Sequence, residues 1–145
     1  GQWVHIAATY DGTTKKIYRN NVLIGSQNAN GVINPSGSAP AIIGSLGGYS
    51  EFFNGTIDEF RLWDRAIPIQ NRMSCELSVP QPGLLLYYKF NQGLAGTVNN
   101  AVNRLTDFSG NNWNGFLLNF SLSAATSNWM APGAVQTGFS CNPVQ

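Results

Sequence analysis

Along the chain, apolar and polar positions alternate in short runs, and clusters of Gly, Asn, Asp and Pro separate the runs. The first run, WVHIAATY from Trp3, meets the turn signal DGTT at 11–14. KKIYR follows, then NN at 20–21, a two-residue turn able to take positive φ, then VLIGS. Residues 1–26 therefore predict a three-strand meander. QNANGVINPSGSAP at 27–40 reads as a loop, AIIGS at 41–45 as a short buried strand, and 56–63 as a further strand entered through the turn LGGYSEFF. Beyond Trp63, DRAIPIQNRM changes character. Pro68 suits an early helical position, and the spacing of Ile67 and Asn71 predicts one or two helical turns. Two prolines and a glycine in SVPQPG at 78–83 stop any regular element. Strands are then predicted for LLLYYKFNQG at 84–93 and FLLNFSL at 116–122, with the loop LTDFSGNNWNG between them and a short strand at SNWM. The division that results is 1–76, a joint at 77–83, and 84–145. So many short strands with one short helix predict an all-β, antiparallel β-sandwich of jelly-roll type.

Composition sharpens this. Charged residues are 10% of the 145, against about 25% in an ordinary globular domain. The polar surface must come from Asn, Gln, Ser, Thr and Gly, which favours strands and turns over helices. The net charge of +1 leaves no basic stripe, so no nucleic-acid partner is expected. Lys15, Lys16 and Arg19 form the one basic cluster and read as a solvated hairpin edge. No run approaches the roughly 18 apolar residues that cross a membrane, and GLLLYY at 83–88 reads as a buried strand. The chain opens inside a strand pattern without a signal peptide, so a piece of something longer is expected.

Cys75 and Cys141 belong to no CxxC motif, and a single His cannot complete a zinc site with them. A disulfide is the favoured reading and two free buried thiols the competing one. The bridge would close a loop of 66 residues and contribute at most roughly 4 kcal/mol in the chain-entropy treatment. It would place the protein in an oxidising, extracytoplasmic compartment.

Four of the seven acidic residues fall between Glu51 and Asp64. Asp58 and Glu59 are adjacent on a predicted strand, so their side chains point to opposite faces. Glu59 and Arg61, two apart, share a face and predict a surface ion pair. His5 has no acid or Ser beside it in sequence, no G-x-S-x-G elbow exists, and a structural His is expected.

The series WVHIAATYDGTTKKIYRNNVLIG from Trp3, IIG at 42–44 and FNGTIDEFRLWDRAI from Phe53 resembles the second half of a LamG-like jelly roll. That family lies in the laminin-G/pentraxin/concanavalin A-like lectin-glucanase superfamily. The resemblance covers residues 1 to about 73. LLLYYKFNQG with LTDFSGNNWNGFLLNFSL looks like the opening strands of such a domain, so 84–145 resembles the start of a further repeat. The resemblance implies a module of a secreted bacterial modular surface protein, with neighbouring modules of its own chain, a glycan or a cell-surface protein as partners.

It also bears on chemistry. The superfamily includes glucanases, but a retaining pair needs carboxyls about 5–5.5 Å apart across one cleft. Asp58 and Glu59 diverge, and no i, i+2 carboxyl pair is present. An enzyme is therefore not expected. In resembling domains the Asp of the I-D-E-x-R motif often helps hold a structural calcium, which maps to Asp58; the other reading has Asp58 cap backbone N–H groups or pair with Arg61 or Arg65. Asp107 reads as holding its own turn. Glycan binding needs aromatic platforms among amides, and the candidates are Tyr10, Trp63, Trp113 and Trp129 with Asn111, Asn112 and Asn114. Trp113, in a Gly/Asn loop, is the sharpest of these candidates, although a core or packing role is the favoured reading for it too; Trp3 and Trp63 sit in strand patterns and read as core. The expected function is a non-catalytic β-sandwich module for adhesion or glycan binding. The alternatives are a spacer repeat of a surface filament or an ancillary domain of a polysaccharide-degrading enzyme.

Overall fold

Strand β1 (Ile6–Tyr10), β2 (Thr14–Arg19) and β3 (Val22–Asn28) pair antiparallel in that order. Local chemistry builds both turns. The Asp11 carboxylate accepts the Thr13 and Thr14 N–H groups at 3.0 and 2.8 Å and the Thr13 hydroxyl at 2.8 Å, an Asx-type turn. Asn20 and Asn21 take φ of 48° and 67°, the conformation a two-residue hairpin demands. The register sets Ala8 opposite Ile17 and Ile6 opposite Arg19, and Ile24 bulges out where Gly25 and Leu23 pair with Ile17 and Tyr18. These are the strands that the hydrophobic pattern predicts. Their side chains are nonetheless open to solvent: Ile6 is 57% exposed, Ile17 41% and Val22 63%.

The computed structural model describes residues 1–33, 37, 40–69, 74–78, 80–123 and 125–141. β4 (Phe60–Trp63) pairs antiparallel with β6 (Leu84–Tyr88). β5 (Glu76–Leu77) pairs with β9 (Ser140–Cys141) in parallel, and β7 (Arg104–Leu105) with β8 (Gly115–Phe116) antiparallel. Strand β6 lies between two apolar clusters. Leu84 and Tyr87 join Cys75, Leu77 and Cys141, with Trp63 and Phe108 packed against them. Leu86 and Tyr88 join Leu105, Leu122 and Trp129. Leu77 and Tyr87 are almost wholly enclosed, and such burial stabilises by about 1.5–3 kcal/mol per side chain.

Loop side chains stand in for a third strand beside β6. Asp107 accepts the Tyr87 N–H, Phe108 N–H donates to the Tyr87 carbonyl, and Ser109 Oγ and Asn111 Nδ2 donate to the Leu85 carbonyl. Buried backbone groups need such partners.

The all-β, mainly antiparallel class is what the structure shows. Strand extents differ from expectation. Residues 41–45 do not form a strand; 43–45 are bends, with Gly44 at φ 88°. The run from Thr56 is extended only from Phe60, since Glu59 takes φ 54°, and FLLNFSL pairs only through Phe116, with Asn119 and Leu122 at 61° and 55°. Residues 66–69 are not helical; the rest of the expected helix, 70–73, lies outside the described residues. The cysteine question is resolved: Cys75 and Cys141 form a disulfide, with Cα atoms 5.1 Å apart, beside the β5–β9 pair. The Glu59–Arg61 pair forms, but not on the surface. Both side chains are 9% exposed, because the Tyr87 hydroxyl and the Cys75 carbonyl draw them under the disulfide cluster.

Candidate functional site

The loop between β7 and β8 is organised around one carboxylate. Asp107 Oδ1 accepts N–H groups from Tyr87 at 3.0 Å and Ser109 at 2.9 Å. Its Oδ2 accepts the Ser109 hydroxyl at 2.8 Å and the Trp113 N–H at 3.0 Å. The Asp107 N–H in turn donates to Asn114 Oδ1 at 2.9 Å. Burial works against the Asp107 charge, but the N–H bonds from Ser109, Tyr87 and Trp113 and the Ser109 hydroxyl outweigh it and hold the carboxyl below its usual range. The Tyr88 hydroxyl donates to the Trp113 carbonyl at 2.6 Å. Trp113 is thus held through both its N–H and its C=O, while its side chain stays open; the residue is 54% exposed. An aromatic plane on a braced loop is the kind of element that stacks on a ligand with little loss of freedom.

On the flanking strands, Arg104 and Phe116 are register partners. The Arg104 guanidinium lies 4.7 Å from the centre of the Phe116 ring, and Phe116 is 60% exposed. Neither residue stands out in the sequence. The available signal was that Arg104 is one of only three charged residues after Leu77.

Asn111 spends its amide on the Leu84 and Leu85 carbonyls, and Asn114 its carbonyl on Asp107. Both build the loop. Asn112 is exposed beside Trp113 at φ 59°. Tyr10 is elsewhere: its hydroxyl sits among the carbonyls of Gly12, Ala29 and Gly31 at 3.0, 2.8 and 2.5 Å, pinning the loop after the meander. Trp63 packs on the disulfide cluster, and Trp129 is buried with Nε1 donating to the Val102 carbonyl at 3.2 Å. Trp3, expected in a core, is 41% exposed. Asp58 accepts backbone N–H groups: Glu59 on one oxygen at 3.1 Å, and Ala134 and Val135 on the other at 2.6 and 3.4 Å. A Cβ on Gly133 would lie 2.7 Å from that oxygen, so only glycine fits there without a shift. Among the described residues, no three His, Cys, Asp or Glu side chains are grouped to hold a metal.

A second polar cluster lies under the disulfide. Glu59 accepts from Arg61 and from the Tyr87 hydroxyl, which itself accepts the Leu77 N–H at 3.1 Å. Glu76 meets Lys89 and Asn91, each at 2.8 Å. Burial raises the Glu59 pKa despite its hydrogen bonds to Tyr87 and Arg61, and it raises that of Tyr87, which Glu59 reinforces. Burial and the Arg61 charge hold His5 below its usual pKa. Glu59, Arg61 and Tyr87 partner one another, as do Glu76, Lys89 and Asn91, whereas the buried Nδ1 of His5 makes no hydrogen bond among the described residues. An apolar cleft of about 350 Å³, lined by Ile42, Ile43, Phe60, Leu62, Leu86 and Tyr88 among others, runs beside β4 and β6.

With this geometry in view, comparison with known proteins places the first part of the chain. Residues 1–70 match a laminin-G-type model of the Concanavalin A-like lectin/glucanases superfamily. That segment holds the meander and β4, so the LamG-like resemblance is supported over it, while the Trp113 hairpin lies beyond it. Pappalysin-1 of Mus musculus is 35% identical over 94 residues, 59% of this chain and 6% of that protein. The chain thus spans a small part of that relative's length. No solved structure matches the chain. Among the described residues, no helix is long and apolar enough to cross a membrane.

Proposed function

We propose that this chain is a non-catalytic β-sheet module of a secreted or cell-surface protein, and that it binds glycan through the Trp113 loop. The observation that carries the reading is the exposed Trp113 on a backbone fastened by Asp107 and Tyr88. Asn112 lies beside it, exposed, to meet sugar hydroxyls. The disulfide suits an oxidising compartment. The laminin-G-type match over 1–70 supports the module class. Four of the seven carboxylates are engaged inside the fold: Asp58 and Asp107 by N–H donors, Glu59 and Glu76 by cations and hydroxyl or amide groups. Asp58 organises 133–135 by direct hydrogen bonds, so binding is expected to survive EDTA.

The test is a glycan array probed with the wild-type chain and with Trp113→Ala, each with and without EDTA. Removing the ring should lower affinity at least about tenfold, an aromatic platform's worth, with the far-UV circular dichroism unchanged. Equal binding by Trp113→Ala would move the site elsewhere, and loss of binding in EDTA would return Asp58 to the role of a calcium ligand.

A further inference from the structure

We propose that the Trp113 hairpin recognises an acidic saccharide, one bearing carboxylate or sulfate groups, with Arg104 as its cationic contact. This rests on the glycan reading above and names the ligand class of the same site.

The argument starts from charge. After Leu77 the chain carries two cations, Lys89 and Arg104, and one acid, Asp107. Lys89 is committed to Glu76 at 2.8 Å. Asp107 is 6% exposed, and both its oxygens are filled by N–H and O–H donors, so it is not a counterion for Arg104. Among the described residues Arg104 makes no ion pair, while Arg61 and Arg65 each meet a carboxylate. Arg104 is exposed, on a hairpin that is otherwise uncharged on its surface.

Its orientation is also set. The guanidinium lies over the Phe116 ring, which holds its plane without using its N–H groups. A stacked guanidinium keeps a fork of donors that matches a carboxylate or sulfate in two-point contact. The loop that joins the Arg104 and Phe116 strands carries Trp113, which is 54% exposed, together with Asn112. One hairpin therefore offers a stacking plane, an amide and an uncommitted, oriented cation. A neutral sugar would use the first two. An acidic one uses all three.

The experiment titrates the whole chain with hyaluronan and heparin oligosaccharides and with a neutral β-glucan oligosaccharide of equal length. Wild type, Arg104→Gln, Arg104→Lys and Trp113→Ala are compared, with near-ultraviolet circular dichroism to certify the fold of each. At least one acidic oligosaccharide should bind about tenfold or more tightly than the neutral one. Arg104→Gln should remove that preference and leave neutral binding unchanged, and Arg104→Lys should restore only part of it. Raising salt from about 50 to about 500 mM should weaken acidic binding by wild type and not by Arg104→Gln, because screening acts on the lost contact. Equal affinity for neutral and acidic ligands, or an Arg104→Gln variant that keeps the preference, overturns this proposal and leaves glycan binding standing. No binding to any glycan by folded wild type overturns both.

Discussion

The meander of residues 6–28 and the region from 74 to 141 solve opposite halves of the folding problem. The meander has the longer strands, five to seven residues, regular pairing and self-sufficient turns. It contains no buried residue. The later region has strands of two to five residues, yet among the described residues it supplies every buried apolar side chain except Ile69. Regular hydrogen bonding and burial are thus separable. Pairing needs only a good turn between neighbours, whereas a core needs side chains from distant segments to converge, and here a disulfide, Asp107 and Tyr87 bring them together.

Truncation of apolar side chains should separate the two regions most sharply. Trp129→Ala is expected to cost about 3–5 kcal/mol and Leu77→Ala about 2–5 kcal/mol, because each leaves a cavity in a closed cluster. Ile6→Ala, at a residue 57% exposed, should stay within about 0.5 kcal/mol. Urea denaturation measures all three. An Ile6→Ala cost as large as that of Leu77→Ala would show that the meander belongs to a core and would erase the contrast.

The disulfide comes next. Cys75→Ser with Cys141→Ser should lower stability by about 2–5 kcal/mol. Hydrogen exchange should then speed up in β5, β6 and β9 while β1 to β3 keep their wild-type rates. Equal acceleration throughout would mean that the two regions unfold as one unit.

The smallest effect is in the pH profile, set by Asp107 in the later region and by Glu59, which the Tyr87 hydroxyl ties to that region. Asp107 has a folded pKa below the usual 3.8, so its contribution is present above that value and is lost as pH falls through the depressed folded one. Glu59 acts in the other sense. Its folded pKa lies above the usual 4.5, so the fold is favoured below 4.5 and loses that contribution as pH rises through the raised value. Thermal midpoints should therefore pass through a maximum on the acid side of neutrality. Asp107→Ala should flatten the acid limb, and Glu59→Gln the limb above the maximum. A profile unchanged by both substitutions would remove these carboxylates from the stability of the core.

Legibility follows the same divide. DGTT and NN announce the meander because their turn chemistry is local: an Asp side chain folded onto its own turn, and two asparagines tolerant of positive φ. Trp113 could be read as exposed, since a Gly/Asn loop offers little to bury it. Arg104 and Phe116 could not, because their stacking depends on a two-residue strand pair that no periodicity reveals. The Glu59–Arg61 pair was legible as a pair, but its burial was not. That burial depends on Tyr87, 28 residues from Glu59, and on the disulfide cluster.

What this amino-acid sequence determined by itself is the all-β character, the first three strands, the turn residues and the sparse charge. Each follows from propensity and contacts within a few residues. Only the tertiary structure decided which aromatics are enclosed, that Cys75 meets Cys141, that Asp58 ties to 134–135, and that Arg104 meets no counterion among the described residues. Those outcomes depend on contacts between residues up to 77 apart. Chain closure over such distances costs entropy that local preference cannot supply, and only the cooperative burial of the whole cluster repays it.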